Sequence, residues 1–431
     1  MPKSKTFLFF NLMFLFLILH PGMATGYSEE GDVLAIKREL ANDGFLDVNC
    51  LITEDYSVLV SFENDPYRFE ATAISRVLEI VYALVSSNNY SRIILIVNKL
   101  QIPIVQIEAP IKVIDQYKSG AISASEFKNQ IVISFRTKSA RLLSKGNKVN
   151  SSAGNVDLVL KPKLGLNLGA YDYPFRYLFN LNPLLKVKLW KGAYFAPEFN
   201  LPLFDFKLDL KYNYARLENL ALTQFLKLEG STFLRLSAGL FNGRRYGGEF
   251  EIGKYFINGK LFVRTKIACT GSAIYLNKGV SGVNNTKYEK DVWEIAPISY
   301  FNHYSSIEYR FPTYNLAVNL GYGKYLFENN VWNVLVYRHF NEYLLGFNAF
   351  VSETGRNYGF VVQIPLSPGK YIVNTKINVK PSRFIKYSYL ATTDYVDSFE
   401  AGLSVNDLIL DLNPSLLKNY LAIELFKGIR N

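Results

Sequence analysis

"FDFKLDLKYNYA", residues 204–215, puts Phe204, Phe206, Leu208, Leu210, Tyr212 and Tyr214 on one side of an extended chain. Asp205, Lys207, Asp209, Lys211 and Asn213 fall on the other. Successive side chains of a strand point to opposite faces, so this period of two predicts a strand with one apolar and one ionic face. The pattern recurs. "NVDLVLKPKLGLNLG" sets Val156, Leu158, Leu160, Leu164, Leu166 and Leu168 against Asp157, Lys161, Lys163 and Asn167. "FLRLSAGLF" sets Leu234, Leu236, Ala238 and Leu240 against Arg235, Ser237 and Gly239. "KLFVRTKIAC" sets Leu261, Val263 and Ile267 against Lys260, Arg264 and Lys266. "SIEYRF", "YNLAVNLGYG", "EYLLGFNAFV", "YGFVVQIPL" and "FEAGLSVN" continue the series, with turn clusters such as "FNGRRYGG" and "NKGVSGVNNTK" between them.

Two architectures produce such alternation. A soluble sheet packs its apolar face on a core; a transmembrane barrel turns that face to lipid and lines its lumen with the polar one. The start of the chain bears on the choice. "MPKSKTFLFFNLMFLFLILHPGMATGYSEEGD" has Lys3 and Lys5, an apolar stretch from Phe7 to Leu19, then small residues, which is the pattern of a secretory signal peptide ending at Ala24 or Gly26. No later apolar run reaches the roughly 20 residues of a membrane helix, whereas strands of about nine to eleven residues match a tilted crossing. Aromatics make up 15% of the 431 residues, with 30 Tyr and 32 Phe, enough to build interfacial girdles. The expectation is a mainly β chain: an antiparallel transmembrane β-barrel of about 12 strands, in the outer membrane. A periplasmic β-sandwich is the soluble alternative.

Before the alternation begins the period is mixed. "GDVLAIKRELANDGF" has helical spacing at Val33, Ile36 and Leu40 and a stop at Gly44; "VNCLITED" and "YSVLVSFEN" read as a hairpin. "EATAISRVLEIVYALVSS" carries the clearest helical stripe, Ile74, Val77, Leu78, Val81 and Leu84, and "SASEFKNQ" a capping-box pattern at Ser123 to Glu126. The expected organisation is a signal peptide 1–26, a periplasmic α/β domain 27–135, a basic linker 136–155 and a barrel 156–431. Charge follows the same division. From Asn155 onward 32 Lys+Arg stand against 22 Asp+Glu, so most of the net +11 belongs to the C-terminal part.

Several of these segments are familiar as a set. "SFENDPYRFEATAISRVLEIVYAL" (61–84), "RLSAGLFNGRRYGGEFEIGKYF" (235–256) and "GYGKYLFENNVWNVLVYRHFNEYLLGFNAFVSETGRNYGFVVQIPL" (321–366) resemble, in order, motifs of YjbH-like exopolysaccharide-export proteins of Gram-negative outer membranes. The resemblance implies an outer-membrane barrel with a periplasmic α/β domain, taking part in export or surface assembly of exopolysaccharide or capsule alongside periplasmic export proteins. The chain is short for that pattern and lacks a terminal Phe. Its last stretch, "NPSLLKNYLAIELFKGIRN", reads as a helix after Asn413 or a final strand.

In a barrel, strand parity turns Lys161, Lys163, Lys207, Lys211, Arg235, Arg264, Lys266 and Arg310 toward the lumen. Cations there concentrate anionic ligands, and acidic polysaccharide is the partner that fits. The alternative for Lys207 and Lys211, which alternate with Asp205 and Asp209, is an ion-pair ladder that fills the wall and holds register. Arg264 and Lys266 have no acid in their own strand and are the better ligand contacts. Trp190, Trp293 and Trp332 read as membrane-interface anchors rather than sugar platforms.

Catalysis is not expected. After the signal only His303 and His339 remain, neither placed for a Ser–His constellation. Glu249 and Glu251 share a strand face, but spacing alone does not make a glycosidase pair. Cys50 and Cys269 lack metal or redox spacing. No cofactor, metal or nucleic acid is expected as a partner. "ENDPYR" (63–68) reads as a turn in which Arg68 pairs locally, with docking of periplasmic partners as the alternative.

Overall fold

A computed structural model describes residues 31–86, 89–143, 146–168, 173–207, 215–241, 245–281, 287–324, 330–353, 355–373, 376–390, 403–425 and 427, with backbone alone at 274–281, 287–294 and 390. The signal peptide and Lys211 lie outside the described residues, as does the side chain of Trp293.

The first part is an α/β unit. α1 (Gly31–Asn42) buries Val33, Ile36 and Leu40, as its spacing predicts, and the chain turns at Gly44 with φ 99°. Then follow β1 (Leu46–Ile52), β2 (Ser57–Glu63), α2 (Glu70–Val85), β3 (Arg92–Lys99), β4 (Ile102–Pro110), α3 (Ile111–Lys118), α4 (Ala124–Gln130), β5 (Val132–Ser134) and α5 (Ala140–Leu143). The five strands pair in sequence order, antiparallel except for β2 and β3, which are parallel because α2 carries the chain back between them. Ile74, Val77, Leu78 and Val81 of α2 are fully buried against Val58, Val60, Phe62, Leu95 and Val97. Each such side chain stabilises the fold by about 1.5–3 kcal/mol. The opposite sheet face is covered in part by α5, whose Leu143 packs with Leu59, Ile94 and Ile96. The predicted capping box is present: Glu126 N donates to Ser123 Oγ at 3.2 Å and Ser123 N to Glu126 Oε2 at 2.7 Å.

Residues 136–155 do more than span a gap. Val149 N bonds Val48 O at 3.1 Å, Asn150 accepts from Val48 N at 3.2 Å and donates to Phe45 O at 2.8 Å. This segment therefore covers the open edge of β1, which would otherwise present unpaired backbone groups.

The second part is one large sheet: β6 (Val156–Leu168), β7 (Phe175–Lys188), β8 (Ala193–Phe206), β9 (Arg216–Lys227), β10 (Thr232–Phe241), β11 (Arg245–Phe256), β12 (Leu261–Ser281), β13 (Lys287–Ile295), β14 (Tyr300–Phe311), β15 (Leu316–Lys324), β16 (Asn330–Phe340), β17 (Tyr343–Ser352), β18 (Arg356–Pro365), β19 (Ile377–Pro381) and β20 (Phe384–Leu390). Neighbours in sequence pair antiparallel from β6 to β12 and from β14 to β18; β12 pairs β13 with its far half and β14 with its near half. Twelve strands thus form a meander, and with β13, β19 and β20 the sheet has 15 strands among the described residues, more than the sequence estimate. The last stretch of strand splits its pairing. β19 runs parallel to β6, whereas β20 is antiparallel to β18. Tyr387 of β20 also donates its hydroxyl to Leu166 O of β6 at 3.0 Å.

The faces of this sheet are inverted relative to a soluble protein. Val263, Ile307, Leu320 and Val334 are consecutive cross-strand partners, and all four are exposed. Their chain neighbours Ser306 and Asn333, on the other face, are buried, as are Asn302, Asn319, Glu308 and Arg310. Exposed aromatics stand at both ends of the apolar face: Phe256, Phe311, Phe340 and Tyr343 at the end nearer the α/β unit, Phe175, Phe204, Trp332 and Tyr358 at the far end.

Two C-terminal helices complete the fold. α6 (Val405–Ile409) starts at a capping box of Ser404 and Asp407; α7 (Pro414–Glu424) starts at Asn413, so the helical reading of the last stretch holds. Leu408, Ile409, Leu412, Leu416, Leu417 and Leu421 join the α/β core to Phe225, Phe233, Tyr255 and Phe262 of the sheet.

Candidate functional site

Burying polar side chains calls for partners, and on the polar face two arginine-centred groups supply several of them. Arg235 is 1% exposed: its Nε donates to Glu251 Oε2 at 2.9 Å, its Nη1 to Ser237 Oγ at 2.9 Å, and its Nη2 to Glu249. Arg264 extends the group, with Nη1 3.6 Å from Glu251 Oε1 and Nε donating to Ser306 Oγ at 3.1 Å. Arg310 donates to Glu308 and to the Tyr337 hydroxyl, which in turn donates to Glu308 Oε2 at 2.9 Å.

Nearer the open strand ends, Lys161 pairs with Glu198 at 2.8 Å and Lys163 with Glu218 at 3.4 Å. Lys207 lies apart from all of these. It follows the end of β8, exposed, with φ 56° and its ammonium 5.2 Å from the Tyr173 ring centre. Phe204, Asp205 and Phe206 before it are exposed too, and residues 208–214, most of the rest of the stretch with the most regular alternation, lie outside the described residues.

Arg264 and Lys266, the two cations without an acid in their own strand, do come together. They line a cavity of about 270 Å³ with His303, Tyr304, Lys324 and Asn333, and Lys266 stands 5.6 Å from the Tyr304 ring centre. Lining residues run from Glu249 on β11 round to Lys386 on β20, so the sheet curves about this space. One wall is α6. Ser404, Asn406 and Asp407 border the cavity, Val405 N donates to Glu251 Oε2 at 3.0 Å and Tyr255 Oη to Asn406 Oδ1 at 2.9 Å. Burial would raise the Asp407 carboxyl, but the Lys386 ammonium, the Ser404 hydrogen bonds and Arg264 outweigh it and hold it below the usual carboxylate range. His339 is buried beside Tyr337, with ring centres 5.4 Å apart.

Sequence reasoning missed the role of "ENDPYR". Arg68 does not pair locally: it clamps Glu342 in the β16–β17 turn and donates to Leu366 O. Asp65 receives Lys188 and Lys380, and Glu63 receives Lys188 at 3.0 Å. Burial alone would raise Glu63 and Asp65; Lys188 for the first, and Lys188 with Lys380 for the second, pull both below the ordinary range. The only advance signal was charge in a turn that also carried Pro66.

The molecule is thus a large β-sheet protein with an inverted face pattern, an internal polar cavity and an α/β unit fixed against one end. A family model, described as exopolysaccharide biosynthesis protein YbjH, matches residues 23–253, more than half of the chain. The chain belongs to the YjbH family. No curated protein matches it. Among solved structures it is similar to OmpT, an outer membrane protein of Vibrio cholerae, and to its loop L8 deletion mutant. Identity is 12% in both cases. The mutant alignment covers 49% of this chain and 87% of that one at a TM-score of 0.26, and the in-vitro folded OmpT alignment covers 50% and 82% at 0.25. Likenesses this distant carry no argument about fold or activity.

Proposed function

We propose that the sheet closes as a transmembrane β-barrel in the outer membrane, with the α/β unit in the periplasm, and that the protein takes part in export or surface assembly of exopolysaccharide without catalysing a reaction. The inverted sheet carries this reading. A ladder such as Val263–Ile307–Leu320–Val334 facing outward is costly in water and favourable in lipid. Closure is supported by the 377–390 segment, which gives one half of its pairing to β6 and the other to β18. The apolar belt has a suitable height. Trp332 and Phe340 are exposed eight residues apart on β16, about 26 Å along the strand at about 3.3 Å per residue. At a tilt of about 40° this is about 20 Å across the bilayer, near the usual band of about 25 Å. The turns beside the α/β unit, 189–192, 228–231, 257–260, 312–315 and 341–342, are short, as periplasmic turns are.

Exopolysaccharide enters through the family, and acidic glycan through Arg264, Lys266, Lys324 and Lys386 around the cavity. Glu249, Glu251 and Glu308 are held by Arg235 and Arg310, which suits a wall better than an acid–base pair. A second reading, a permanently plugged structural barrel, is favoured by α6 standing against Glu251. Single-channel conductance in planar bilayers separates the two: export predicts openings that acidic polysaccharide blocks, and a silent bilayer would leave only the structural barrel. Heat-modifiable migration on a gel tests the barrel itself, and its absence would restore the soluble sandwich.

A further inference from the structure

Outside the internal cavity, the α/β unit and the near rim of the sheet enclose a second space. β4, the segment after β5 and the 228–231 and 257–260 turns border a cleft of about 1640 Å³. Both walls are basic. Arg136 and Lys138 come from the α/β unit, Lys191, Lys227 and Lys254 from the sheet, and Glu229 is the one carboxylate among the lining residues described. None of these five cations makes an ion pair among the described residues. Lys227 is held by neutral groups alone: its ammonium donates to Pro103 O and Ile104 O at 3.0 Å, Phe135 O at 2.6 Å and Thr137 Oγ1 at 3.1 Å. Those four acceptors take up its donors, so the charge that can meet an anion in the cleft is that of Arg136, Lys138, Lys191 and Lys254.

The mouth of the cleft is apolar. Leu228, Phe256 and Ile257 are exposed there, continuous with the outward face of β11, and Lys254 lies with its ammonium 5.1 Å from the Phe256 ring centre. Ile257 has φ 49°, a conformation that is strained for a β-branched side chain, and it is 61% exposed. A turn that accepts strain to project an isoleucine outward suits an apolar surroundings rather than water. Cations above and apolar side chains below is the order of groups that a phospholipid meets in reverse.

We propose that this cleft binds the phosphate headgroup of an anionic phospholipid from the leaflet facing the α/β unit, with its acyl chains along Leu228, Phe256 and Ile257. The inference rests on the barrel reading above. An acidic glycan would match the cations but leave the apolar mouth without a partner, so the lipid is favoured. Because the two walls belong to different parts of the fold, a bound phosphate also ties the α/β unit to the rim.

The test uses the full chain in detergent, titrated with phosphatidylglycerol or phosphatidylcholine and read by native mass spectrometry, with heat-modifiable migration checked on the same sample. The expected result is about tenfold greater retention of phosphatidylglycerol, the scale of one to two interfacial cations at about 1 kcal/mol each. Replacing Arg136→Gln, Lys138→Gln and Lys191→Gln together, all exposed, is expected to bring retention down to the phosphatidylcholine level with migration unchanged. Equal retention of the two lipids by a heat-modifiable protein would overturn the inference alone. So would displacement of the lipid by millimolar inorganic phosphate, which would make the site one for the free ion, or by a polyuronate, which would make it a glycan site. A wild-type chain without heat-modifiable migration would instead remove the barrel reading on which the inference stands.

Discussion

Arg68 and Glu342, 274 residues apart, form a two-pronged ion pair with Nε–Oε2 at 2.5 Å and Nη2–Oε1 at 2.7 Å, and each side chain is less than a fifth exposed. This pair fixes the α/β unit against the β16–β17 turn. With the neighbouring bond from Arg68 N to Gly369 O at 2.9 Å, it makes the turn after β2 a latch between the two parts of the fold. Arg68→Ala leaves Glu342 half-buried and unpaired, at a cost of about 2–4 kcal/mol. Limited proteolysis should then cut between residues 136 and 155 faster than in the wild type, while the sheet stays intact.

The same latch sets a pH dependence. Glu63 and Asp65 are held below their ordinary range, so relative to an unfolded chain they contribute stability that is complete above about pH 4.5 and is lost as pH falls through their folded values. Asp47 runs the other way: burial, then the Glu63 charge, raise it, so its ionisation on going above about pH 4 weakens the folded state. Acid titration followed by tryptophan fluorescence should show undocking below pH 4 in the wild type. Asp65→Asn should remove the Asp65 share of the change in that window and leave the Glu63 share, and Asp47→Asn should flatten the opposing slope above it.

Leu320 stands in the middle of the outward apolar ladder. In a Cys269→Ser background, a nitroxide on Leu320→Cys should collide more with oxygen than with a water-soluble nickel chelate in liposomes, because oxygen partitions into hydrocarbon. The reverse preference would place this face in water.

Val405 is the first residue of α6, where proline is tolerated. Val405→Pro therefore removes the N–H bond to Glu251 with little effect on the helix. If α6 is a movable plug, openings in planar bilayers should become more frequent by about tenfold, the weight of one charge-assisted bond of about 1.5 kcal/mol. Asn413→Ala should act differently. It removes both the cap on Ser415 N and the donor to Gly259 O, each at 2.9 Å, and should lower the melting free energy by about 2 kcal/mol.

Arg235 and Lys266 separate wall from ligand contact. Arg235→Ala removes the ion pair of Glu249 and leaves Glu251 only Arg264 and the Val405 N–H, and should destabilise by about 3–5 kcal/mol. Lys266→Gln, at the cavity, should change the melting temperature little and weaken block by acidic polysaccharide. A stability loss as large as that of Arg235→Ala would make Lys266 part of the wall.

Much of this was legible in order of residues alone. Period-two alternation in "FLRLSAGLF" and "KLFVRTKIAC" fixes which side chains share a face, because strand geometry leaves no choice once the backbone is extended. The stripe on α2 and the capping box of α4 were readable for the same reason: they depend on neighbours within one or two turns. Alternation is symmetric and does not itself say which face is buried; in the sequence that came from the leader and the aromatics, and the burial of Asn333 against the exposure of Leu320 breaks the symmetry directly.

The partner of each charge was not readable either. Lys207, in the most regular stretch of all, ends up exposed beside Tyr173, while Arg235 is buried between two acids of the adjacent strand. Sequence by itself determined the elements, their faces and the family motifs. Tertiary structure decided that Arg68 reaches Glu342, that Arg264 and Lys266 share a cavity with Lys386, and that the last helices close against Glu251. Those are contacts between strands and turns far apart in the chain, and their geometry exists only once the sheet has formed and the helices have packed on it.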